Sequence, residues 1–185
     1  MPFTDPAETE ARRIASGLRR KDMELVHELV ERYHFRLVRY LMFLIGCHEW
    51  VEDMVQDTWL RVLERSNQYD GRSRFEPWLF SIARNLALNG LRRRQHVSLE
   101  SMGEADGGTS PFLAAARSED AARVAAALDL LEPIYREALL LRFHEELSLQ
   151  EISSVVGAPV STVSSRIQRG LSMLRSHWEG GANET

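Results

Sequence analysis

Residues 148–175 read SLQEISSVVGAPVSTVSSRIQRGLSMLR, and this stretch decides the fold of the C-terminal part. Ser148 followed by Glu151 has the spacing of a capping box that starts a helix. Ile152, Val155 and Val156 form that helix's inward face, and Gly157 can take the left-handed conformation that ends it. Ser161 is then expected to cap a second helix, with Val163, Ile167, Leu171 and Leu174 recurring at helical spacing. Its outward stripe is Thr162, Ser165, Arg166, Gln168 and Arg169. Hydroxyl, amide and guanidinium groups on one exposed helix face suit phosphates and base edges in a DNA major groove. The pattern is a helix-turn-helix.

Outward from this stretch the chain reads as all-α. No sustained alternation with β-branched enrichment appears, whereas helical periodicity recurs in at least five places. The segment QHVSLESMGEADGGTSPFLAAARS, rich in Gly, Ser and acidic residues, reads as a flexible linker over 95–118. It separates two small helical domains, residues 1–94 and 119–178, with 179–185 expected to be a disordered tail. In the first domain the pattern predicts a helix from about Asp22 to Ile45 that Gly46 ends, with a shorter one over Ala7 to Leu18 before it. Further helices are expected over Glu49 to Arg65 and from near Phe75 to Arg94, separated by the loop SNQYDGRSRF.

The chain of 185 residues carries a net charge of −4, which argues against a nonspecific DNA-coating protein. The charge is uneven: residues 1–95 hold two more basic than acidic side chains, and the remainder six more acidic than basic. Local patches would therefore have to hold nucleic acid. Leu37 to Gly46 is the most apolar run and is too short to span a bilayer, so no membrane insertion is expected. The N-terminus carries no secretory pattern and Cys47 stands alone, so the reading is cytoplasmic with no disulfide. His27, His34, Cys47 and His48 lack any HExxH or CxxC arrangement; no metal, cofactor or catalytic residue is expected.

Two helix faces ask for partners. On the second, Val51, Met54, Val55, Thr58 and Val62 share the inward side. Opposite them Glu49, Glu52, Asp53, Gln56, Asp57 and Glu64 surround Leu60, an apolar centre with a charged rim, as at a small docking patch for a basic partner. A solvated acidic face is the alternative. On the third, Leu79, Ile82, Ala83, Leu86, Ala87 and Gly90 face inward, while Trp78, Ser81, Asn85, Asn89 and Arg92 face out. Aromatic rings beside amides and arginines suit single-stranded DNA, whose bases stack and present their edges. Tyr69, Arg72 and Phe75 lie just before this stripe, and Arg92, Arg93 and Arg94 offer phosphate contacts after it.

With these residues in view, the chain resembles the extracytoplasmic-function class of bacterial sigma factors. Residues 51–94 look like region two of that class and residues 128–175 like region four. The resemblance implies a noncatalytic subunit that gives core RNA polymerase its promoter specificity. It implies that Asp53, Gln56, Asp57 and Leu60 dock on polymerase. It implies that Tyr69, Arg72, Ser73, Phe75, Trp78, Asn85, Arg92 and Arg93 serve the melted −10 element. It implies that Thr162, Ser165, Arg166, Gln168 and Arg169 read the −35 duplex. The class often has an aspartate where Asn89 stands and a basic residue where Ser164 stands. An anti-sigma partner is expected to pack between the two domains and cover the Asp53–Leu60 face and the recognition helix; such a partner could hold the factor at the inner membrane. A free-standing dimeric regulator is the competing function, but it leaves the acidic face unexplained.

Overall fold

The longest apolar stripe of the chain, Leu25, Leu29, Tyr33, Leu37, Tyr40 and Leu41, repeats at steps of three and four residues and is buried along its whole length. It belongs to α2 (Met23–Ile45), the central helix of the N-terminal half. The Asp22 carboxylate accepts the Glu24 and Leu25 backbone N–H groups at 3.1 and 3.2 Å, which caps that helix. The computed structural model describes residues 6–45, 48–98 and 119–181. Gly46, Cys47, the tail beyond Gly181 and all of the expected linker after Ser98 lie outside the described residues.

Around α2 the N-terminal half places α1 (Pro6–Arg20), α3 (His48–Glu64), a 3-10 turn (Ser66–Gln68) and α4 (Phe75–Ser98). α1 is tied to α2 by a surface network in which Arg13 bridges Glu10 and Glu28, and Arg32 bridges the same two carboxylates. The C-terminal half comprises α5 (Glu119–Asp129), α6 (Pro133–Leu139), a π-helical turn (Leu140–His144), α7 (Leu149–Val156) and α8 (Val160–Gly181). No strand occurs among the described residues.

The capping box is formed: the Glu151 N–H donates to Ser148 Oγ at 3.2 Å, and the Ser148 N–H donates to Glu151 Oε2 at 2.7 Å. Gly157 ends α7 at φ +67°, a conformation that costs an L-residue roughly 1–2 kcal/mol. Two expectations about the last helices need correction. α8 starts at Val160, so Ser161 sits inside the first turn instead of capping it; the Pro159 carbonyl already accepts the Val163 N–H at 3.0 Å. Leu171, expected inward, is 40% exposed, because the core contact of α8 runs through Val163, Ile167 and Gly170. α8 also continues to Gly181 and α4 to Ser98, beyond the boundaries drawn at 178 and 94.

The two halves are not separate bodies. Leu140, Leu141, Leu147, Ile152 and Val155 from the second join the same buried cluster as the stripe of α2 and Leu79, Phe80 and Ala83 of α4. α7 lies along α4, and α6 touches α2. A helical unit of about 60 residues buries only a modest share of its surface alone, so pooling two faces gives each a better core.

Candidate nucleic-acid interface and docking face

α8 projects its polar stripe as the sequence pattern requires. Ser165, Gln168 and Arg169 are exposed, whereas Thr162 and Arg166 are half-buried. All five, with Ser172, line an open groove of about 640 Å³ whose other wall is Ile134 and Tyr135 of α6. Arg169 donates to the Tyr135 hydroxyl at 3.4 Å, which holds the guanidinium over that groove. Ile134 and Tyr135 escaped the sequence reading. Their only signal is Pro133 at the start of a helix, which says nothing about which face meets α8.

On α3 the described side chains follow the expected partition; that of Glu49 lies outside them. Val51, Val55, Thr58 and Val62 are buried and Met54 is half-buried. Thr58, polar at a core position, donates to the Met54 carbonyl at 2.7 Å and is thereby satisfied. Glu52, Asp53, Gln56, Asp57 and Leu60 are all exposed, with Leu60 58% accessible. Leu60 is thus an apolar side chain left in water amid carboxylates.

The loop before α4 departs from expectation at two residues. Tyr69 and Phe75 are buried, at 2% and 1% exposure, and no base can reach them. Tyr69 donates to the Ser73 carbonyl at 2.6 Å, and burial, with the nearby Glu76 charge, raises its pKa and keeps that donor protonated. Their rings pack under Trp78, with centroids 5.2 Å away for Tyr69 and 5.7 Å for Phe75. Burial of two large rings is worth several kcal/mol. They pack beneath Trp78, the half-buried ring of the three. Arg72, Ser73, Asn85, Arg92 and Arg93 are exposed. The loop is pinned to α1 at Gly71, where a Cβ would meet the Ala11 carbonyl at 2.9 Å.

Several polar residues that no motif singled out lie between the halves. Glu137 of α6 accepts from Tyr40 at 2.8 Å and from Arg84 at 2.8 and 3.3 Å. Glu145, after the π turn, accepts from Arg36 at 2.7 Å and Arg39 at 3.4 Å. Their signal in the sequence was a single charge inside an apolar run, as in EALLLRF, which reads equally well as a surface position. The seam where a partner was expected to enter is thus filled by the protein's own side chains. No group of three or more His, Cys, Asp or Glu residues among those described could hold a metal ion, and no described helix is long and apolar enough to cross a membrane.

Two family matches follow this geometry. Residues 29–97 match Sigma-70 region 2 and residues 121–174 match Sigma-70 region 4. The ECF RNA polymerase sigma factor SigX of Bacillus subtilis is 31% identical over 159 residues, spanning 82% of each chain. The RNA polymerase sigma factor CarQ of Myxococcus xanthus is 32% identical over 150 residues, covering 80% of this chain and 86% of CarQ. Among solved structures, CnrH in complex with the cytosolic domain of CnrY superposes with a TM-score of 0.65 at 26% identity, over 95% of this chain and 99% of that one. The sigma factor RpoE bound to the anti-sigma factor NepR of Bartonella quintana shares the fold, with a TM-score of 0.72 at 24% identity over 83% of this chain and 96% of that one. The chain belongs to the ECF RNA polymerase sigma factors.

Proposed function

We propose that this protein is a dissociable, noncatalytic subunit that directs core RNA polymerase to specific promoters in the cytoplasm. The Asp53, Gln56, Asp57 and Leu60 face of α3 docks on polymerase. Trp78 and Asn85, with Arg72, Ser73, Arg92 and Arg93 around them, hold the melted −10 strand, and Tyr69 and Phe75 keep Trp78 in place. A flipped base costs a few kcal/mol to extract, so a ring held ready for stacking recovers part of that cost. Thr162, Ser165, Arg166, Gln168 and Arg169 read the −35 duplex from the major groove, and attachment to polymerase raises their effective concentration at the promoter.

The observation that carries this reading is the exposed Leu60 ringed by acidic side chains, on a different helix from an exposed polar stripe at the end of a helix-turn-helix. A free-standing repressor has no use for the first. CnrH, solved with the cytosolic domain of CnrY, supports a protein partner for this fold; we read that partner here as an anti-sigma factor. Promoter-directed transcription by purified core polymerase, with and without the protein, on fragments of its own genome is the test. Specific starts that require the protein are expected. Folded protein that neither binds core nor stimulates any start would return the free-standing regulator.

A further inference from the structure

The loop between the 3-10 turn and α4, residues 69–74, is short, yet it is fastened at more than one point. The Tyr69 hydroxyl donates to the Ser73 carbonyl at 2.6 Å, so one side chain spans the loop from its first residue to its fifth. Asp70 Oδ1 accepts the Arg72 N–H at 2.9 Å, and Asp70 Oδ2 lies 3.5 Å from Arg72 Nε. Gly71, between those two residues, is buried at a φ of +74°, where an L side chain would be strained. A Cβ there would also lie 2.9 Å from both the Ala11 carbonyl oxygen and the Ala15 Cβ of α1. Asp70, Arg72 and Ser73 stay exposed on either side of it. The loop therefore turns its backbone inward against α1 at Gly71 and sends its polar side chains outward.

A phenylalanine would fill the place of the Tyr69 ring. That ring is 2% exposed, with its centroid 5.4 Å from that of Phe75 and 5.2 Å from that of Trp78. A buried hydroxyl costs free energy unless it is hydrogen-bonded, so ring packing alone gives no reason for the oxygen. Burial and the nearby Glu76 charge keep the phenol protonated, which makes it a constant donor. Its acceptor is a carbonyl of the loop backbone, so the bond shapes the loop and not the core. A backbone held beforehand loses little conformational freedom when a strand arrives, whereas a slack loop gives some up at every residue. Slack also lets Arg72 and Ser73 adjust to each base in turn. A fixed set of donors cannot adjust, and a wrong base leaves those groups unpaired.

We propose that the Tyr69 hydroxyl and the Asp70 carboxylate are the positioning groups of this loop, which they set before DNA binds so that Arg72 and Ser73 discriminate among bases of the melted strand. This rests on the −10 reading above, which supplies the strand. Two roles then separate. Trp78 stacks on any base, since every base has a π-face, and the clasped loop selects. Tyr69 acts through Ser73 and, being buried, touches no base itself.

The test uses the full chain bound to core polymerase. Its probes are single-stranded oligonucleotides carrying the non-template −10 strand of a promoter that the transcription experiment recovers. One is cognate and the others carry single-base substitutions; the readout is the ratio of their affinities. Tyr69→Phe should lower that ratio by about two- to tenfold, the range that loss of one hydrogen bond implies, with −35 duplex affinity and core affinity unchanged. Asp70→Ala should lower it too, whereas Asp70→Asn, which keeps an acceptor for the Arg72 N–H, should retain it. Trp78→Ala should instead weaken binding of all the oligonucleotides alike. In the free protein, amide exchange at Arg72 should be faster in Tyr69→Phe and in Asp70→Ala than in wild type. A folded Tyr69→Phe with the wild-type ratio, or with equal loss on every oligonucleotide, overturns the proposal. Should Tyr69→Phe fail to fold, the surface pair decides: equal ratios in Asp70→Ala and Asp70→Asn overturn it. A wild-type complex that starts transcription but binds none of the oligonucleotides would instead overturn the −10 reading.

Discussion

Leu60 shows how one side chain can carry a functional assignment. Its neighbours on α3 alternate between core and water in step with the helical turn, and it alone is large, apolar and on the wet side, amid Asp53, Gln56 and Asp57. Leu60→Ala or Asp57→Arg should weaken core polymerase binding while leaving the thermal midpoint unchanged, since neither residue is buried; normal affinity in both would remove the docking assignment. Arg169 is exposed and steadied by Tyr135. Arg169→Ala should lower −35 duplex affinity by about 1–3 kcal/mol if the contact is a bidentate one to guanine, read by titration against matched and mismatched duplexes. Glu10 offers a test of electrostatics at the same scale. Hydrogen bonds from Arg13, then Arg32, outweigh its partial burial and hold its pKa down to about 2, against an ordinary value of about 4.3. The folded state therefore gains from this carboxylate above the ordinary value and loses that gain as pH falls toward 2. The urea midpoint of wild type should exceed that of Glu10→Gln at pH 7, and the gap should close between about pH 4.5 and pH 2.

Among the elements, α8 was the most legible and still the one most altered by its surroundings. Its periodicity fixed a helix and a polar stripe, but the boundaries and the inward set depended on α6. Gly170 is the clearest case. It reads as a blemish, since alanine is better in a helix by about 1 kcal/mol. In the fold it is the point where α8 meets α6: an added Cβ would lie 2.9 Å from Leu139 Cδ1 and 3.2 Å from its Cγ. Leu139 is itself buried, so it has little room to yield. Gly170→Ala should therefore destabilise the protein by about 1 kcal/mol net, because overpacking of about 1–3 kcal/mol exceeds the gain in propensity. Thermal unfolding would check this, and a higher midpoint would show that Leu139 can move. The loop before α4 teaches the converse. Tyr69 and Phe75 were legible as aromatics near a working surface, but only packing decides that they lie beneath Trp78.

At the level of the whole molecule, one buried cluster runs through both halves. The free protein should unfold in a single calorimetric transition, with van't Hoff and calorimetric enthalpies equal. Glu137→Arg with Glu145→Arg should split that transition in two or broaden it, because each half then keeps only its own core. Two well-separated transitions in the wild type would mean that the halves are thermodynamically independent. The same geometry bears on inhibition. A partner that enters between the halves must first displace Tyr40, Arg36, Arg39 and Arg84 from their glutamates, whereas one that wraps around the outside need not.

The sequence by itself determined the helices of the N-terminal half and the last two of the chain, the capping box at Ser148, the left-handed turn at Gly157, the outward stripe of α8 and the acidic face around Leu60. These follow from spacing along one chain and from local hydrogen bonds, so nothing distant is needed to read them. The tertiary structure alone decided which aromatics lie beneath Trp78, what an added side chain at Gly170 would meet, and that Glu137 and Glu145 meet Tyr40, Arg36, Arg39 and Arg84. Those outcomes depend on which faces meet across as many as 109 sequence positions. A lone charge in an apolar run has the same local pattern whether it ends in water or against a buried arginine.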